Sequence, residues 1–371
     1  MPTVQDVARR AGVSTATVSY VLNGTRFVSG GLRERVLAAV RELHYEPNAA
    51  ARTLRSNRSH TLGLILPDLR NPFFTEAVRG VEDVAQSRGY TVLLANSDED
   101  TEREARHLRV LRAKHVDGLI LAPAGGSYAE LEQLVDARFP LVLLDRDLAG
   151  LGTPAVMLDN EAAAHAAVDH LIRLGHQRVG MITGRPPLSS TVERQRGYRR
   201  ALDEAGLPFD ERLVETGGST VEGGAAAAST LLERLPPPTA LFAANNLMTI
   251  GALMAIERHG LSVPGDVALV GFDELPWADV FRPRLTTVAQ PLYELGRTAA
   301  ELVLEQLSGA GHHPRRVLLA GTLVVRDSSG AREWFRAPIR RGRDRDRGPR
   351  PGREPRAPRA VQPHSRLAAK V

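Results

Sequence analysis

The sequence predicts an α/β protein in which a three-helix head containing a helix-turn-helix precedes a two-subdomain core built on parallel sheets. Apolar residues repeat with helical spacing before residue 46, and from residue 60 short apolar runs alternate with stretches of helical length. After residue 330, arginine, proline and glycine predominate and predict a tail without a core. The 371 residues allow two or three domains at roughly 100 to 200 residues each. We expect the head at 1–46, a linker at 47–59, the core at 60–330 and the tail at 331–371.

The composition excludes several classes of protein. No apolar run approaches the ~18 residues of a membrane span, and the first residues lack the apolar stretch of a secretory signal. The chain has no cysteine, which removes disulfide frameworks, thiolate nucleophiles and cysteine-based zinc sites. We therefore expect a cytoplasmic protein with no membrane partner.

Charge is distributed unevenly along the chain. Residues 1–58 carry nine arginines against four carboxylates, and residues 331–371 carry 13 basic side chains against four carboxylates. Because the formal net charge is +5, the segment between them has a net charge of −9. A basic head on an acidic body indicates that the head meets a polyanion, since arginine binds phosphates. The tail either adds nonspecific DNA affinity or is a solvated extension without function.

The head pattern predicts three helices. The first can be capped by Thr3, ends at Gly12 and has a stripe formed by Val4, Val7, Ala8 and Ala11. Ser14 can cap the second, whose core side is formed by Val18, Val21 and Leu22. The third has a stripe formed by Leu32, Val36, Val40 and Leu43. Two helices joined by a tight glycine turn can lay the second helix in a major groove, and a helical dimerisation module is the alternative.

Residues 3–23, TVQDVARRAGVSTATVSYVLN, resemble the N-terminal signature of the lactose-repressor and purine-repressor (LacI) family of bacterial transcription regulators. The resemblance implies that the second helix reads bases through Thr15, Ala16 and Tyr20, while neighbouring side chains hold phosphates. The DNA contacts that it implies in the head are Thr3, Ser14, Thr15, Ala16, Thr17, Ser19, Tyr20 and Asn23. Because threonine and alanine offer only a hydroxyl and methyl groups, readout should depend on thymine methyls and water.

The linker contains alanines that favour a helix, but about eight helical residues are marginal alone. The resemblance implies a hinge helix that pairs with its dimer mate in the minor groove, with Leu54 wedged between base pairs. Ala51 and Arg55 are the other DNA contacts in this segment. An ordinary buried leucine is the alternative for Leu54.

Eight apolar runs in the body predict parallel strands that are covered on both faces. They are 62–66, 91–95, 118–121, 141–144, 156–158, 179–182, 241–243 and 267–270. Two sheets fit these runs better than one, which predicts one subdomain at about 60–158 and 289–320 and another at about 159–288 and 321–330. We expect a return crossing at 285–291, followed by a helix at 292–307. The body resembles periplasmic sugar-binding proteins, as the cores of the LacI family do.

Polar and aromatic side chains follow several of these runs. Since ligands of parallel sheets bind outside the carboxyl ends of the strands, these side chains predict a site for a polyhydroxylated ring. The resemblance matches Arg194 and Asp273 to positions that hold the effector. The predicted effector-binding residues are Asn71, Phe73, Phe74, Asp145, Arg146, Arg194, Asn245 and Asp273. Each can alternatively be a helix cap or a strand-end turn, and this plainer interpretation is favoured for Asp159, Asn160 and Asn246.

Two positions depart from the family pattern. Ser219 stands where several members carry an aromatic platform, so ring stacking would come from Phe73, Phe74 or Trp277. Asn246 stands where an aspartate is usual, which removes a carboxylate. A pentose, a hexose, a nucleoside and a phosphorylated sugar all stay open as effectors. The phosphorylated sugar is disfavoured because no cluster of arginine and lysine is evident at the strand ends.

Motifs of catalysis and of cofactor binding are not found in the sequence. It contains no dinucleotide-binding or triphosphate-binding glycine motif, and 217–219 is not a nucleophile elbow. The spacing of His165, His170 and His176 does not place them on one helix face. We therefore expect no enzyme, no cofactor and no metal.

The sequence as a whole predicts a sequence-specific repressor of sugar-utilisation genes under allosteric control. Its expected partners are palindromic double-stranded operator DNA and a small-molecule effector of the sugar or nucleoside class. We expect a homodimer, with a tetramer as the alternative. A ligand-binding transport component and an enzyme on the same scaffold are the competing functions.

Overall fold

The computed structural model describes residues 2–45, 58–125, 129–309, 311 and 313–330. The predicted hinge contacts Ala51, Leu54 and Arg55, and the tail after residue 330, lie outside these residues. The described chain has a helical head and two six-stranded sheets, which confirms the predicted fold class. Within the described residues, no helix has both the length and the apolar character that a membrane crossing requires.

The head consists of α1 (Val4–Ala11), α2 (Thr15–Asn23) and α3 (Gly30–Glu42). The Thr3 hydroxyl accepts a hydrogen bond from the Asp6 N–H, and the Asp6 carboxylate accepts one from the Thr3 N–H at 2.9 Å. The Ser14 hydroxyl accepts from the Thr17 N–H at 3.1 Å. These caps satisfy N–H groups that have no partner inside a helix, so both helices begin where their sequences predict.

The three head helices enclose one small core. Its buried members are Val7, Ala8, Ala11, Val18, Val36 and Ala39. Val18 is the one fully buried residue of α2, whereas Thr15, Ala16 and Asn23 of this helix are exposed and open to a partner.

Twelve strands occur in the described part of the core. They are β1 (Thr61–Leu66), β2 (Thr91–Asn96), β3 (Gly118–Leu121), β4 (Leu141–Leu144), β5 (Ala155–Leu158), β6 (Val179–Thr183), β7 (Val214–Thr216), β8 (Ala240–Ala243), β9 (Ala268–Phe272), β10 (Thr286–Ala289), β11 (Arg316–Leu319) and β12 (Thr322–Val324). One sheet has the order β11-β5-β4-β3-β1-β2 and the other the order β12-β10-β9-β8-β6-β7. We call the first sheet and its helices lobe 1, and the second sheet and its helices lobe 2.

Helices follow most strands of the core. They are α4 (Phe73–Ser87), α5 (Thr101–Ala113), α6 (Ala129–Asp136), α7 (Asn160–Arg173), α8 (Ser189–Glu204), α9 (Val221–Leu232), α10 (Asn246–Arg258) and α11 (Leu292–Leu307). The chain crosses between the lobes three times, after β5, after β10 and after β11.

Four strands of the core differ from the sequence prediction, and a fifth differs in its burial. The return segment contains β10, and the short strands β7, β11 and β12 were not predicted at all. β12 is antiparallel to β10, although every other strand pair is parallel. β2 was expected to be covered on both faces, but it is an edge strand on which Leu93 and Leu94 are exposed. Edge strands pair on one side only, so their apolar runs need not be buried.

Glycines allow the core helices to pack at very short range. A Cβ added at Gly296 of α11 would lie 2.7 Å from the Ala77 carbonyl carbon of α4, and closer still to its oxygen. Gly80 of α4 is enclosed in the same way by the backbone of Tyr293 and Arg297. The backbones of α4 and α11 therefore touch, and no side chain fits between them.

Gly296→Ala is expected to destabilise lobe 1. Overpacking typically costs about 1–3 kcal/mol, which outweighs the ~1 kcal/mol that alanine gains over glycine in a helix. Thermal or urea unfolding of the core would measure the loss. Gly31→Ala in α3 is the control, because nothing lies within 4 Å of an added methyl there. An unchanged core transition in Gly296→Ala would contradict the packing that we describe.

Candidate functional site

A cavity of about 200 Å³ lies at the carboxyl ends of the strands of both lobes. All eight residues of the predicted effector-binding set line it. Asn71, Phe73 and Phe74 follow β1, and Asp145 and Arg146 follow β4. Lobe 2 contributes Arg194 from α8, Asn245 before α10 and Asp273 after β9. A ligand in this cavity would contact both lobes.

Asp145 and Arg146 form the polar floor on the lobe 1 side. The Arg146 guanidinium donates to both carboxylate oxygens of Glu99, at 2.6 and 2.8 Å, and to the Pro123 carbonyl at 2.8 Å. Asp145 is 3.6 Å from Arg146 Nε through one oxygen, and its Oδ1 has no hydrogen-bond partner among the described residues. Burial raises the pKa of Asp145 to about 6. A buried carboxylate oxygen without a donor is suited to a ligand hydroxyl.

Glu104 of α5 lies behind this floor and is buried. Its Oε2 accepts a hydrogen bond from the Ala124 N–H at 2.7 Å. Burial raises the pKa of Glu104 to about 7, although the hydrogen bond and the Arg146 charge act in the opposite direction. The carboxyl therefore takes up a proton within the neutral pH range.

Glu104→Gln is expected to remove part of the pH dependence of stability. A carboxyl whose folded pKa is raised stabilises the fold fully below its unfolded pKa of 4.5, and this contribution is lost as the pH rises through about 7. The free energy of unfolding of the wild type should therefore fall relative to Glu104→Gln between pH 5 and 8, by on the order of 2 kcal/mol. Urea unfolding at several pH values measures this. Glu102→Gln, an exposed site in the same turn, is the control; parallel pH profiles for wild type and Glu104→Gln would contradict the assignment.

Arg194 and Asp273 form the lobe 2 side of the cavity. Arg194 Nε donates to Asn160 Oδ1 at 2.8 Å and its Nη1 donates to the Ala244 carbonyl at 2.6 Å. The guanidinium lies 3.8 Å from the centre of the Phe272 ring. Asp273 accepts a hydrogen bond from Gln290 Nε2 at 2.5 Å, and burial raises its pKa while the Arg194 charge lowers it. Both charged groups are buried and held in fixed positions.

Aromatic contacts come from lobe 1. Phe73 and Phe74 are buried and pack edge to face, with ring centroids 4.8 Å apart. Trp277, which was one source of stacking that the sequence left open, is 44% exposed and does not line the cavity. Ser219 lines the cavity in a left-handed conformation with φ 64°.

Of the three residues for which the plainer interpretation is favoured, only Asp159 is a helix cap, whereas Asn160 and Asn246 make other side-chain contacts. Asp159 caps α7 by accepting from the Ala162 N–H, and Asn245 caps α10 by accepting from the Met248 N–H at 2.7 Å. Asn245 also lines the cavity, so it has both roles. Asn160 does not line it but orients Arg194.

Among the described residues, three sets of hydrogen bonds join the lobes across the cavity. Arg185 donates to the Glu99 carbonyl at 2.8 Å and to the Ala124 carbonyl at 3.4 Å. The Ser189 hydroxyl accepts from the Asp147 N–H at 2.9 Å. Asn246 Nδ2 donates to Asn71 Oδ1 at 2.8 Å. An aspartate at position 246 could not donate in this way, so the departure from the family pattern has a structural consequence here.

Charge around the cavity differs from the sequence expectation. Four arginines line it, although no cluster of basic residues was evident in the sequence. They are Arg70, Arg146, Arg185 and Arg194. Five carboxylates also line it, namely Asp68, Asp98, Glu99, Asp145 and Asp273. Because acids outnumber bases and the arginines are hydrogen-bonded to the protein, the cavity does not favour an anionic ligand.

Sequence reasoning missed several cavity residues. Asp98 and Glu99 follow β2, where both adopt positive φ, and a survey of every strand end would have found them. Arg185, Ser190 and Thr191 follow β6. The sequence offered no comparable signal for Arg185, because its contacts depend on how the two lobes meet.

The head presents a second candidate surface along α2. Thr15 and Ala16 are exposed, and Tyr20 is half-buried. The Arg26 guanidinium lies 5.3 Å from the centre of the Tyr20 ring, so Arg26 belongs to this surface although it was not predicted. Asn23 donates to the Ser19 carbonyl and hydroxyl, whereas the Thr3, Ser14 and Thr17 hydroxyls take part in the helix caps.

The histidines of lobe 2 have structural contacts. His176 is buried, and its Nδ1 lies 2.9 Å from the Thr239 hydroxyl; His170 Nε2 lies 2.9 Å from the Ser329 hydroxyl. Burial lowers the pKa of His176 to about 4. In the part of the chain that the structure describes, no group of three or more acidic or histidine side chains is arranged to hold a metal ion.

Two family models match the chain. Residues 3–48 match "Bacterial regulatory proteins, lacI family", and residues 59–326 match "Periplasmic binding proteins and sugar binding domain of LacI family". The repressor PurR of Photobacterium profundum is 35% identical over 329 residues, covering 88% of this chain and 98% of the relative. The ribose operon repressor of Halalkalibacterium halodurans is 37% identical, covering 89% and 97%.

Solved structures show the same similarity. A complex of the transcriptional regulator CelR with cellobiose has 36% identity and a TM-score of 0.68, covering 88% of this chain and 100% of that one. The Lac repressor dimer bound to operator and the anti-inducer ONPF has 28% identity and a TM-score of 0.80, covering 89% and 99%. These relatives are transcription regulators and not enzymes.

Proposed function

Because the chain belongs to the LacI family of bacterial regulatory proteins, we propose that it represses genes for the use of a sugar and that a sugar in the cavity controls its affinity for operator DNA. The protein is a DNA-binding transcriptional regulator with an effector-binding core. The observation that carries the proposal is the cavity between the lobes, where residues of both sheets converge. We assign DNA binding to the head at 1–46 and effector binding to the core at 60–330.

The effector that fits the cavity best is a neutral single-ring sugar. The volume of about 200 Å³ is below the roughly 300 to 1,000 Å³ of pockets for drug-sized ligands, which favours a small ligand. Asp145 Oδ1 can accept from a hydroxyl, and Arg194 can donate to a ring or hydroxyl oxygen. Two of the relatives are ribose operon repressors, which supports a monosaccharide. A nucleoside is the alternative that the same donors and acceptors allow.

Control of DNA binding would work through the angle between the lobes. A ligand shifts this angle only if it binds one arrangement more tightly than the other. A 100-fold change in operator affinity requires about 2.7 kcal/mol of coupling. We propose that the segment at 47–59, with Leu54 in the minor groove, carries the change to the head.

Exposed apolar residues favour a dimer. Leu93 and Leu94 on β2 and Val110 on α5 are exposed in lobe 1, and Met254 and Val280 are exposed in lobe 2. We propose that these residues contribute to the contact between two copies, so that two heads read the halves of a palindrome. The protein would act in the cytoplasm, where its DNA partner is.

Two measurements test the function. A thermal-shift screen against monosaccharides and nucleosides should find a ligand that stabilises the core, by about 2.7 kcal/mol at 100 times its dissociation constant. Gel shifts with duplexes selected by the full chain from a random library should then change when that ligand is added. Failure to select any duplex, with and without the ligand panel, would reject the repressor function.

A further inference from the structure

Lobe 1 has a basic surface at the end opposite the cavity. All its strand pairs are parallel, so the residues that precede its strands meet at one edge of the sheet. Six exposed cations lie in these connections, and we call them the basic edge: Arg58, Arg88, Arg112, Lys114, Arg138 and Arg315. The carboxylates that follow the strands lie at the opposite, cavity end. Lobe 1 therefore has a basic end and an acidic end.

Few carboxylates neutralise the basic edge. Asp117 contributes one negative charge there, and its carboxylate accepts hydrogen bonds from the N–H groups of Ser59 and His60, at 2.7 and 2.8 Å. Among the described residues, Arg88, Arg112, Lys114, Arg138 and Arg315 form no salt bridge. An acidic core has ample carboxylates, so folding alone gives no reason for unpaired cations at this edge.

The corresponding edge of lobe 2 is different. There Arg212 pairs with Asp210 at 3.0 Å, and Arg234 pairs with Glu215 at 2.7 Å. Two of the arginines near this edge of lobe 2 are thus compensated by carboxylates. The contrast indicates that the unpaired charge of lobe 1 serves an external anion.

The basic edge is also concave. One depression of about 300 Å³ is lined by Arg58, Arg112 and His115 together with the carboxylate of Asp117. A second of about 300 Å³ is lined by Arg138 and His313. Phe139 lines both, so the two depressions are adjacent. Such hollows can admit phosphate groups of a polyanion.

We infer that the basic edge binds backbone phosphates of the operator duplex that the head holds. These phosphates belong to the base pairs on either side of those that the head reads. This inference rests on the proposed DNA-binding function. The core begins at Arg58, inside the basic edge, and the head ends at Tyr45. The chain between them can span at most about 45 Å, so the head and the DNA that it holds are tethered to this edge. Attraction between charges acts over about 10 Å at moderate salt. Contacts of the basic edge with phosphates would therefore add affinity for DNA that does not depend on the base sequence.

The test is the salt dependence of DNA binding by the full chain. The variant Arg112→Gln/Lys114→Gln/Arg138→Gln removes three charges, and the control Arg212→Gln/Arg234→Gln/Arg258→Gln removes three from lobe 2. Binding is measured to a duplex of about 40 base pairs, roughly four helical turns, and to one of about half that length. The lobe 1 variant should bind the longer duplex about tenfold more weakly at low salt, with a slope of log affinity against log salt shallower by about one for each lost phosphate contact. The control should match the wild type, and the difference should vanish on the short duplex.

An unchanged salt slope in the lobe 1 variant would overturn the inference, as would an equal loss in the control. Equal loss on both duplex lengths would also overturn it, because the contacts would then not lie on the flanks. If the wild-type chain bound neither duplex, the proposed function itself would fail, so the two failures are distinguishable. Thermal unfolding of the core checks that the exposed substitutions leave the fold intact.

Discussion

An Arg194→Ala variant is expected to lose the effector response while its head continues to bind DNA. Arg194 is buried, and its Nε and Nη1 are used by Asn160 and the Ala244 carbonyl, which leaves Nη2 for a ligand. Truncating a buried charged group of an interface costs about 2 to 5 kcal/mol. Effector affinity, measured by isothermal titration with the sugar selected in the thermal-shift screen, should fall by at least about 30-fold.

Two further variants make this result interpretable. Arg196→Ala, exposed on the same helix, is the matched control and should keep wild-type affinity. Arg194→Lys keeps the positive charge but lacks the planar guanidinium group with its fixed N–H donors, so it should recover little affinity for the effector. An Arg194→Ala protein that folds and still binds the effector like the wild type would show that this side chain only packs α8 against lobe 2.

Ala16→Glu is expected to abolish specific DNA binding, with a loss of at least about 100-fold, because it sets a carboxylate against the duplex and removes a methyl contact. Ala16 is exposed on α2 and contributes nothing to the head core. The head should therefore fold, and effector binding in the core should be unchanged. Gel shifts with the selected duplex measure the loss.

Ala38→Glu is the control for this variant. Ala38 is exposed on α3, so the change adds the same charge at a different face of the head. It should weaken binding only a few fold, through net charge alone. Equal losses in the two variants would place the DNA elsewhere and would remove the role that we assign to α2.

Patterns that depend on local chemistry were predicted well from the sequence. The Thr3 and Ser14 caps and the helix at 292–307 were predicted, and seven of the eight strand runs agree with the observed strands to within one residue at each end. These features reflect propensities and burial that neighbours in the chain determine. Most of the eight cavity residues could be predicted because parallel strands bring their carboxyl ends together, a rule that needs only the position of each strand. Arg194 lies on α8 and not at a strand end, and it was predicted through the family resemblance.

Features that depend on contact between distant segments were not predicted. β11 and β12 are short, partly exposed strands that exist because an edge of each sheet was available to pair with them. Arg185 reaches Glu99 and Ala124 only because the lobes face each other across the cavity. The stacking of Arg26 on Tyr20 likewise requires the turn after α2, whose geometry no sequence pattern specifies.

The three passages of the backbone between the sheets limit the ways in which the halves of the core can move. If a single chain segment joined the two lobes, they could slide and twist relative to each other in any direction. Three connecting segments must all change conformation together. A change in the angle between the lobes must therefore bend all three crossings at once. We propose that a molecule in the cavity selects this angle, and that the head responds to this one variable.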